Sequence, residues 1–266
     1  MSFSNLFYSK KLIAFIFFVP ITLVFSQELY VSQPLGSDSN SGSESSPFKT
    51  INKAISESNP GTTIFVMDGL YKNNNYGSGL NGTSLNNSPV VNFNQSGTNG
   101  SPIILKNLDG HSPKIQFDGA GGIKLPNGAN NIIIEGFEIE GPSASITYEQ
   151  AIADREYKIS VAEDDNDNTS YNHTYFSGKG IWGYGPHNNV IIRNNVVYNT
   201  PGSGIRFNDS DYITIENNTV YNTTWWTSSA SSAVVYAESI SAEGDNGSEV
   251  KMIMRGNIVY NNWNRI

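Results

Sequence analysis

The stretch that decides the fold of this chain is Val190-Ile191-Ile192-Arg193-Asn194-Asn195-Val196-Val197-Tyr198-Asn199. The same pattern returns at residues 213–222 and 252–261, and a degenerate copy occupies residues 131–139. Each copy holds two short apolar-alternating runs separated by an asparagine, which is typical of stacked strands joined by a tight turn. Repeats with a period of roughly 20 to 50 residues indicate a solenoid, so each copy is predicted to be one coil of a β-helix.

The turn between the two runs carries an asparagine in every complete copy. Asn195, Asn218 and Asn257 are therefore predicted to stack as a ladder of side chains. Asparagine tolerates the left-handed backbone conformation that such a turn demands, so the predicted role of the ladder is structural.

The N-terminus has the pattern of a secretory signal peptide. Lys10 and Lys11 precede the apolar residues 12–25, and the small residue Ser26 follows them. Cleavage after Ser26 is predicted, with a transmembrane anchor as the alternative; the apolar stretch is shorter than the roughly 20 residues that a span needs. We expect a secreted protein, extracellular or exported to the cell surface or periplasm, without stable membrane insertion after signal cleavage.

Composition restricts the partners and the chemistry. The chain carries 16 basic and 24 acidic residues, a formal charge of −8, which becomes −10 when the two signal-peptide lysines are removed. This balance argues against nucleic acid as a partner. Without cysteine an exported chain has no disulfides, so its stability must come from the stacked core. The three histidines lack metal-ligand spacing, which argues against a zinc site.

A short amphipathic helix is predicted ahead of the coils. Apolar residues recur at helical spacing from Phe48 to Ile55, with Ser46 as the N-cap and Pro47 in the first turn. Because an open solenoid end exposes its core and an unpaired strand edge, this helix is predicted to cap the N-terminal end.

The same region resembles the opening of a known superfamily. The matching residues are Gly36-x-Asp38-x-Asn40-x-Gly42, then Pro47-Phe48-x-Thr50-Ile51-x-x-Ala54, then Pro60-Gly61-x-Thr63-Ile64-x-Val66-x-Asp68-Gly69-x-Tyr71. They are similar to the start of secreted right-handed parallel β-helix proteins of the pectate-lyase-like superfamily. The resemblance implies an all-β, right-handed parallel β-helix (solenoid) with an N-terminal capping helix. Lyases, glycosidases and other surface proteins share such openings, so the resemblance does not fix the reaction.

One face of the predicted coils carries the candidate site. The first strand of each coil begins with a Gly-Ile pair, and alternation then predicts that Lys124, Trp182 and Arg206 point outward, about 4.8 Å apart per coil. An exposed tryptophan between two cations has little structural purpose, so this row predicts a groove for an extended polar polymer, with a solvated face as the alternative. Long insertions at residues 141–178 and 223–232 are predicted to border the same face.

Further candidates lie beside this row. The predicted substrate-binding residues are Trp182, Tyr184, Asn208, Asp209, Trp225, Trp226 and Tyr236. The sequence leaves open whether Val235 or Tyr236 continues the row in the next coil.

Three function classes are compatible with this face. A polysaccharide lyase acting on an acidic polysaccharide by β-elimination needs a base for the C5 proton of a uronate and a cation for its carboxylate. Lys124 is the predicted base, with His187 or Tyr184 as alternatives. Arg206 is the predicted neutralising group, because an arginine with a pKa above about 12 rarely acts as a base.

Two alternatives remain. A glycoside hydrolase needs two carboxyl groups roughly 5 to 9.5 Å apart, and Asp209 with Glu238 is the available pair. A non-catalytic binding or surface protein needs only aromatic residues that stack on sugar rings, such as Trp182, Trp225 and Trp226. In each case the predicted partner is a polysaccharide.

The acidic insertion is a candidate calcium site. Asp164, Asp165 and Asp167 form an oxygen-rich run, but Thr169 replaces the glycine and Tyr175 the glutamate that an EF-hand loop requires. An EF-hand is excluded, and a looser Ca²⁺ site and a solvated acidic loop remain open.

The last repeat ends close to the last residue without a predicted capping helix. The sequence therefore predicts a signal peptide at residues 1–26 and a parallel β-helix domain at residues 27–266 that is truncated at its C-terminus.

Overall fold

The structure is a computed structural model. It describes residues 26–74, 76–77, 88–163, 174–224, 232–237 and 248–262. The predicted signal peptide, apart from Ser26, lies outside these residues. No helix in the described parts of the chain is long and apolar enough to cross a bilayer.

Short strands dominate the described residues. In chain order they are β1 Glu28–Val31, β2 Thr63–Val66, β3 Leu70–Lys72, β4 Val91–Asn92, β5 Ile103–Asn107, β6 Lys114–Gln116, β7 Gly121–Leu125, β8 Ile132–Glu135, β9 Glu138–Glu140, β10 Lys179–Arg193, β11 Val196–Tyr198, β12 Ile205–Glu216, β13 Thr219–Tyr221, β14 Val234–Ala237, β15 Met252–Arg255 and β16 Ile258–Tyr260. The two α-helices are α1 Ile51–Ser56 and α2 Tyr148–Glu163, and residues Ser143–Ser145 and Thr174–Phe176 form 3₁₀ turns.

The strands form three parallel stacks, and the chain visits them in turn. The first stack contains β4, β7, the N-terminal parts of β10 and β12, and β14. The second contains β1, β2, β5, β8, the C-terminal parts of β10 and β12, and β15. The third contains β3, β6, β9, β11, β13 and β16. The predicted parallel β-helix, with three strands in each coil, is confirmed.

The repeated phrases stack in register. Ile192 pairs with Ile215, and Ile215 pairs with Met254, so equivalent positions of successive phrases are neighbours. The inward residues of all three stacks form one apolar core, in which Ile123, Ile139 and Ile192 are fully buried. Each fully buried aliphatic side chain contributes about 1.5–3 kcal/mol, which lets a chain without disulfides fold.

The asparagine ladder is confirmed, with one correction. The side-chain amide of Asn195 donates to Oδ1 of Asn218 at 3.0 Å, and that of Asn218 donates to Oδ1 of Asn257 at 3.0 Å. The left-handed residue, however, is the one before each ladder position: Asn194 has a φ of 57° and Asn217 of 55°. The prediction placed that conformation one residue too late, because the preceding residue makes the turn and frees the ladder amide to point inward.

The N-terminal cap is confirmed, although the helix begins later than predicted. The N-cap is Thr50, whose side chain accepts a hydrogen bond from the Lys53 amide at 3.2 Å. The segment before it is extended because it pairs with β1: the Phe48 amide donates to the Tyr30 carbonyl at 2.9 Å. Ser46 therefore does not cap the helix, and the segment around Phe48 covers the edge of β1 instead.

Long insertions leave the coils at one corner, between the third strand of one coil and the first strand of the next. The insertion between β9 and β10 contains α2, and its residues Ile146, Ala151 and Tyr175 form a small core of their own. The insertion between β13 and β14 leaves from the same corner, so the predicted placement of both insertions is confirmed. The segment between β3 and β4 is a third insertion at this corner, which the sequence pattern does not predict. All three leave the coils directly before a strand of the first stack.

Candidate functional site

The outward row of the first stack has the predicted register. Lys124 pairs with Trp182, Trp182 pairs with Arg206, and Arg206 pairs with Val235. At the other end of the row, Asn92 pairs with Lys124. Adjacent strands lie about 4.8 Å apart, so the row presents one side chain at each such step along the solenoid axis.

The predicted exposure of Trp182 is wrong. Its side chain is only 5% exposed, although it does not belong to the apolar core inside the coils. The tip of the indole lies over Gly121, where an added Cβ would come within 2.5 Å of the ring. Trp182 is therefore a buried packing residue of this face and offers no ring surface for stacking a sugar.

A lysine that the sequence pattern does not predict lies at this face. Lys179 is the first residue of β10, and its ammonium donates a hydrogen bond to the Ser177 carbonyl at 3.0 Å. Burial, reinforced by the positive charge of Arg206, lowers the pKa of Lys179 to about 8. A lysine with this pKa is substantially neutral at mildly alkaline pH and can accept a proton there.

Two cations lie near the ring of Tyr184. The Lys179 ammonium is 5.8 Å and the Arg206 guanidinium carbon 5.5 Å from the centre of the Tyr184 ring, which is 44% exposed. Burial raises the pKa of the Tyr184 phenol, although the charge of Arg206 acts in the opposite direction. Tyr184 thus keeps its proton at a pH at which Lys179 loses one.

We call Lys179, Tyr184 and Arg206 the basic cluster. The Arg206 guanidinium is oriented by Asn208, whose Oδ1 accepts a hydrogen bond from Nε at 2.9 Å. The cluster combines a proton acceptor, a proton donor and a permanent cation. Acid–base catalysis requires one group with a lowered pKa and another with a raised pKa in the same site, and Lys179 and Tyr184 have these shifts.

Two other predicted residues of this face, Lys124 and Asp209, lie outside the basic cluster. Lys124 is half-buried on β7, and it makes no hydrogen bond or ion pair with the basic cluster in the part of the chain that is described. Asp209 is exposed and has a φ of 47°, at the point where the pairing of β10 with β12 is interrupted. The structure therefore brings Tyr184, Arg206 and Asn208 together and leaves Lys124 and Asp209 at the edge.

His187 does not face the groove. It is fully buried, its Nδ1 donates to the Ala129 carbonyl at 2.9 Å, and its ring packs edge-on against Phe207 with the centroids 6.0 Å apart. Its Nε2 approaches Gly183 so closely that an added Cβ would lie 2.3 Å away. The prediction that His187 is an alternative catalytic base is therefore wrong, because no substrate can reach it without unfolding this part of the coil.

Tyr236 is also turned away from the row. It pairs with Phe207, whose side chain lies in the core, and Val235 takes the position next to Arg206. The Tyr236 hydroxyl donates to the Ser210 carbonyl at 2.6 Å. The structure thus settles the register that the sequence left open, and it removes Tyr236 from the predicted substrate-binding residues.

Several candidates lie outside the described residues. They are Asp164, Asp165, Asp167, Trp225, Trp226 and Glu238. The Ca²⁺ site and the carboxyl pair of the hydrolase hypothesis therefore stay predictions. Within the described ranges, no three His, Asp or Glu side chains are grouped closely enough to hold a metal ion.

The buried state of His187 predicts acid sensitivity. Burial lowers its pKa, against the opposing effect of the hydrogen bond to Ala129, and Nε2 has no partner among the described residues. As the pH falls below about 6.5, the unfolded chain binds a proton that the folded chain does not, so stability falls by up to about 1.4 kcal/mol per pH unit. We expect His187→Gln to flatten the dependence of the unfolding free energy on pH between 5 and 7.

Denaturant unfolding at several pH values measures this dependence. The wild type, unfolded in parallel over the same pH range, gives the reference slope. An unchanged slope in His187→Gln would contradict the assignment.

Comparison with known proteins places the chain in a family. The family model described as "Protein of unknown function (DUF1565)" matches residues 35–264. The chain belongs to this family. No curated protein is similar enough in sequence to serve as a relative of this DUF1565 member.

Solved structures share the fold of the DUF1565 chain. Pectate lyase Pel9A matches with a TM-score of 0.50 and 16% identity, over 75% of this chain and 40% of that one. A GH136 lacto-N-biosidase from Eubacterium ramulus matches with a TM-score of 0.50 and 14% identity, over 73% of this chain and 34% of that one. A rhamnogalacturonan lyase matches with a TM-score of 0.43 and 13% identity, over 89% of this chain and 69% of that one.

The likenesses to Pel9A and to the lacto-N-biosidase show the fold alone. The neighbours are polysaccharide-lyase-like β-helix proteins, and polysaccharide lyases and glycoside hydrolases share this architecture. The chain spans less than half the length of Pel9A and of the lacto-N-biosidase.

Proposed function

We propose that this chain is a polysaccharide lyase that cleaves an acidic polysaccharide by β-elimination at the basic cluster. The observation that carries the proposal is the lowered pKa of Lys179, about 8, in direct neighbourhood to a permanent cation and a protonated phenol. Lyases and hydrolases share the fold, and the chemistry of the cluster favours the lyase. Among the described residues the cluster offers a base and cations, whereas a hydrolase needs a pair of carboxyl groups.

In the proposed reaction each member of the cluster has one role. The Arg206 guanidinium pairs with the uronate carboxylate and so acidifies the proton on C5. Neutral Lys179 takes that proton and becomes an ammonium. The electron pair of the broken C5–H bond forms the C4–C5 double bond as the bond from C4 to the glycosidic oxygen breaks. Tyr184 donates its proton to the leaving oxygen; the Lys179 ammonium then releases its proton to the medium and Tyr184 regains one from it, which restores both groups.

Charge supports the substrate class. The chain as a whole is acidic, but Lys124 and Arg206 place positive charge on the outward row of the first stack. A local cationic strip on an acidic protein attracts a polyanion to that strip and repels it elsewhere.

Replacing Arg206 with Ala is expected to lower kcat as well as raise KM. Pairing with the carboxylate strengthens as charge develops in the transition state, so a loss of roughly 10- to 100-fold in kcat/KM is expected. Since the charge of Arg206 helps to lower the pKa of Lys179, the midpoint of the pH profile should also move upward. A higher KM with an unchanged kcat and midpoint would reduce Arg206 to a binding group.

The proposed reaction is tested by its product. The chain is incubated with pectate, alginate and chondroitin, and ultraviolet absorbance of the unsaturated product is followed beside the release of reducing ends. Release of reducing ends together with a rise in ultraviolet absorbance supports the lyase reaction. Reducing ends without absorbance would identify a glycoside hydrolase, and binding without any product would identify a non-catalytic binding protein.

We also propose that the protein is exported, which places it where such polymers occur. The support is the sequence pattern of Lys10, Lys11 and the apolar residues 12–25. The mature chain is expected to begin at Gln27, which mass spectrometry of the secreted protein measures. A mature product that retains residues 1–26 would contradict this.

A further inference from the structure

An apolar groove of about 310 Å³ lies on the outward face of the second stack. Its floor consists of one outward side chain from each of four successive coils: Ile133, Ile191, Thr214 and Ile253. All four are at least partly exposed. A strand with one face in water normally alternates apolar and polar residues, but residues 132–134 and 190–192 are all aliphatic. An exposed apolar row of this kind indicates a surface that contacts a partner.

A row of charged side chains runs beside this floor, two residues further along each strand. Its members alternate in sign from coil to coil: Glu135, Arg193, Glu216 and Arg255. Within the chain they form two cross-strand pairs, since Arg193 donates to Glu135 and the Arg255 guanidinium lies 2.7 Å from Glu216. The side chains of Arg193 and Arg255 nevertheless remain 35% and 69% exposed. The row therefore keeps charge available to a partner.

The groove has a definite centre. The loop that contains Thr98 and Pro102 borders it at one end, and Val250 borders it at the other. Lys106 continues the charged row, but it belongs to the coil that this loop enters and so lies beyond the floor. The midpoint of the floor, between the coils of Ile191 and Thr214, is also the midpoint of the four charges.

The order of these charges is self-complementary. A two-fold axis through the midpoint and parallel to the strands lays each row on the same row of a second copy, with the order of the coils reversed. Arg193 then faces Glu216 of the second copy. In the same way, Glu135 faces Arg255 of the second copy. A polyanion would instead meet Glu135 and Glu216, so the row favours a second copy of this chain as the occupant.

The apolar floor matches itself under the same symmetry. Ile133 faces Ile253 of the second copy, and both are aliphatic. Ile191 faces Thr214 of the second copy, beside the axis. Three isoleucines of each copy thereby leave water, so the floor supplies affinity and the charged row fixes the register.

From this self-complementarity we infer that the protein forms a symmetric dimer through the outward face of the second stack, with the two solenoids antiparallel. The basic cluster lies on the first stack, so the inference does not depend on the proposed reaction. Four strands of four residues cover only about 19 by 13 Å. A stable interface buries roughly 800 Å² per partner, so the dimer is expected to be reversible, with a dissociation constant in the micromolar range or above.

Sedimentation equilibrium at up to about 500 µM measures this association. The wild type is expected to show a monomer–dimer equilibrium. Ile191→Lys places an ammonium group in the apolar floor beside the axis and should weaken the dimer at least tenfold, since a charge is costly to remove from water.

Val196→Lys is the matched control. Val196 is an outward residue of the same coil, but it lies on the third stack and is 37% exposed. Its replacement should leave the dissociation constant within about twofold of the wild type. Circular dichroism and cooperative thermal unfolding show whether both variants are folded.

Crosslinking tests the register. The chain has no cysteine, so an introduced cysteine is its only thiol. Position 133 of one copy faces position 253 of the other across about 10 Å, the spacing of packed sheets. A bis-maleimide of this reach should link a mixture of Ile133→Cys and Ile253→Cys chains several-fold more often than either variant alone.

Three results would each overturn the dimer: a wild type that is monomeric at every concentration, equal effects of Ile191→Lys and Val196→Lys, or crosslinks as frequent in the single-variant samples as in the mixture. If Ile191→Lys does not fold, the crosslinking decides. A monomeric wild type whose binding to pectate is lost in folded Ile191→Lys would assign this face to a polysaccharide and also overturn the dimer.

Discussion

Replacing Lys179 with Met is expected to lower kcat/KM for the unsaturated product by about 10²- to 10⁴-fold, the contribution typical of a general base. Methionine keeps the length and the apolar stem of the side chain, and it removes a charge that burial already disfavours. The variant should therefore fold as stably as the wild type and bind the polymer nearly as well. Ultraviolet assays of product formation together with polymer binding separate the two effects.

Lys124→Met is the matched control, since Lys124 is a half-buried lysine of the same row. Because Lys124 lies away from the basic cluster, its replacement is expected to change KM more than kcat. Neither constant should change by more than about tenfold. If Lys124→Met removed turnover and Lys179→Met preserved it, the base would be Lys124, as the sequence alone had suggested.

Replacing Asn218 with Ala should lower the free energy of unfolding by about 3 kcal/mol or more, because several buried groups lose their partners at once. Asn218 is 1% exposed. Its amide donates to the Ile192 and Glu216 carbonyls at 2.9 and 3.1 Å, and its Oδ1 accepts from the Asn195 amide at 3.1 Å. Denaturant unfolding measures the loss.

Asn217→Gly is the matched control. Asn217 is the exposed neighbour, its φ of 55° suits glycine, and the change removes a side chain without breaking the ladder. A change of less than about 0.5 kcal/mol is expected. Similar losses in both variants would mean that the turn, and not the ladder, holds the coils together.

The coils were predictable because their pattern is local and repeated. Ile192, Ile215 and Met254 occupy one position of the phrase, and a strand that slips by one residue would turn its whole apolar set outward. The register of the stacks therefore follows from the sequence. The outward row from Lys124 to Arg206 follows from the same alternation, and so does the corner at which the insertions leave.

The center of the candidate site was not predictable in this way. Lys179 precedes the Gly-Ile pair that marks the first strand, so alternation along that strand does not assign it to the outward face. Its role depends on burial and on the charge of Arg206, which are properties of the folded chain. No pattern in the sequence signals either of them.

The same limit explains the errors at Trp182 and His187. Alternation places a side chain on a face of the strand, but it does not show whether another part of the chain covers that face. Trp182 packs over Gly121, and His187 fills the space beneath Gly183 that a side chain would otherwise occupy. In both cases a glycine allows the close approach, and its partner can be identified only in three dimensions.

The pH dependence of kcat/KM for the unsaturated product tests the central claim most directly. If neutral Lys179 is the base, kcat/KM rises with pH through a midpoint of about 8, where the ammonium loses its proton. Lys179→Met should abolish this rise. Product formation that is independent of pH between 7 and 9, or a wild-type rise that persists in Lys179→Met, would contradict the account.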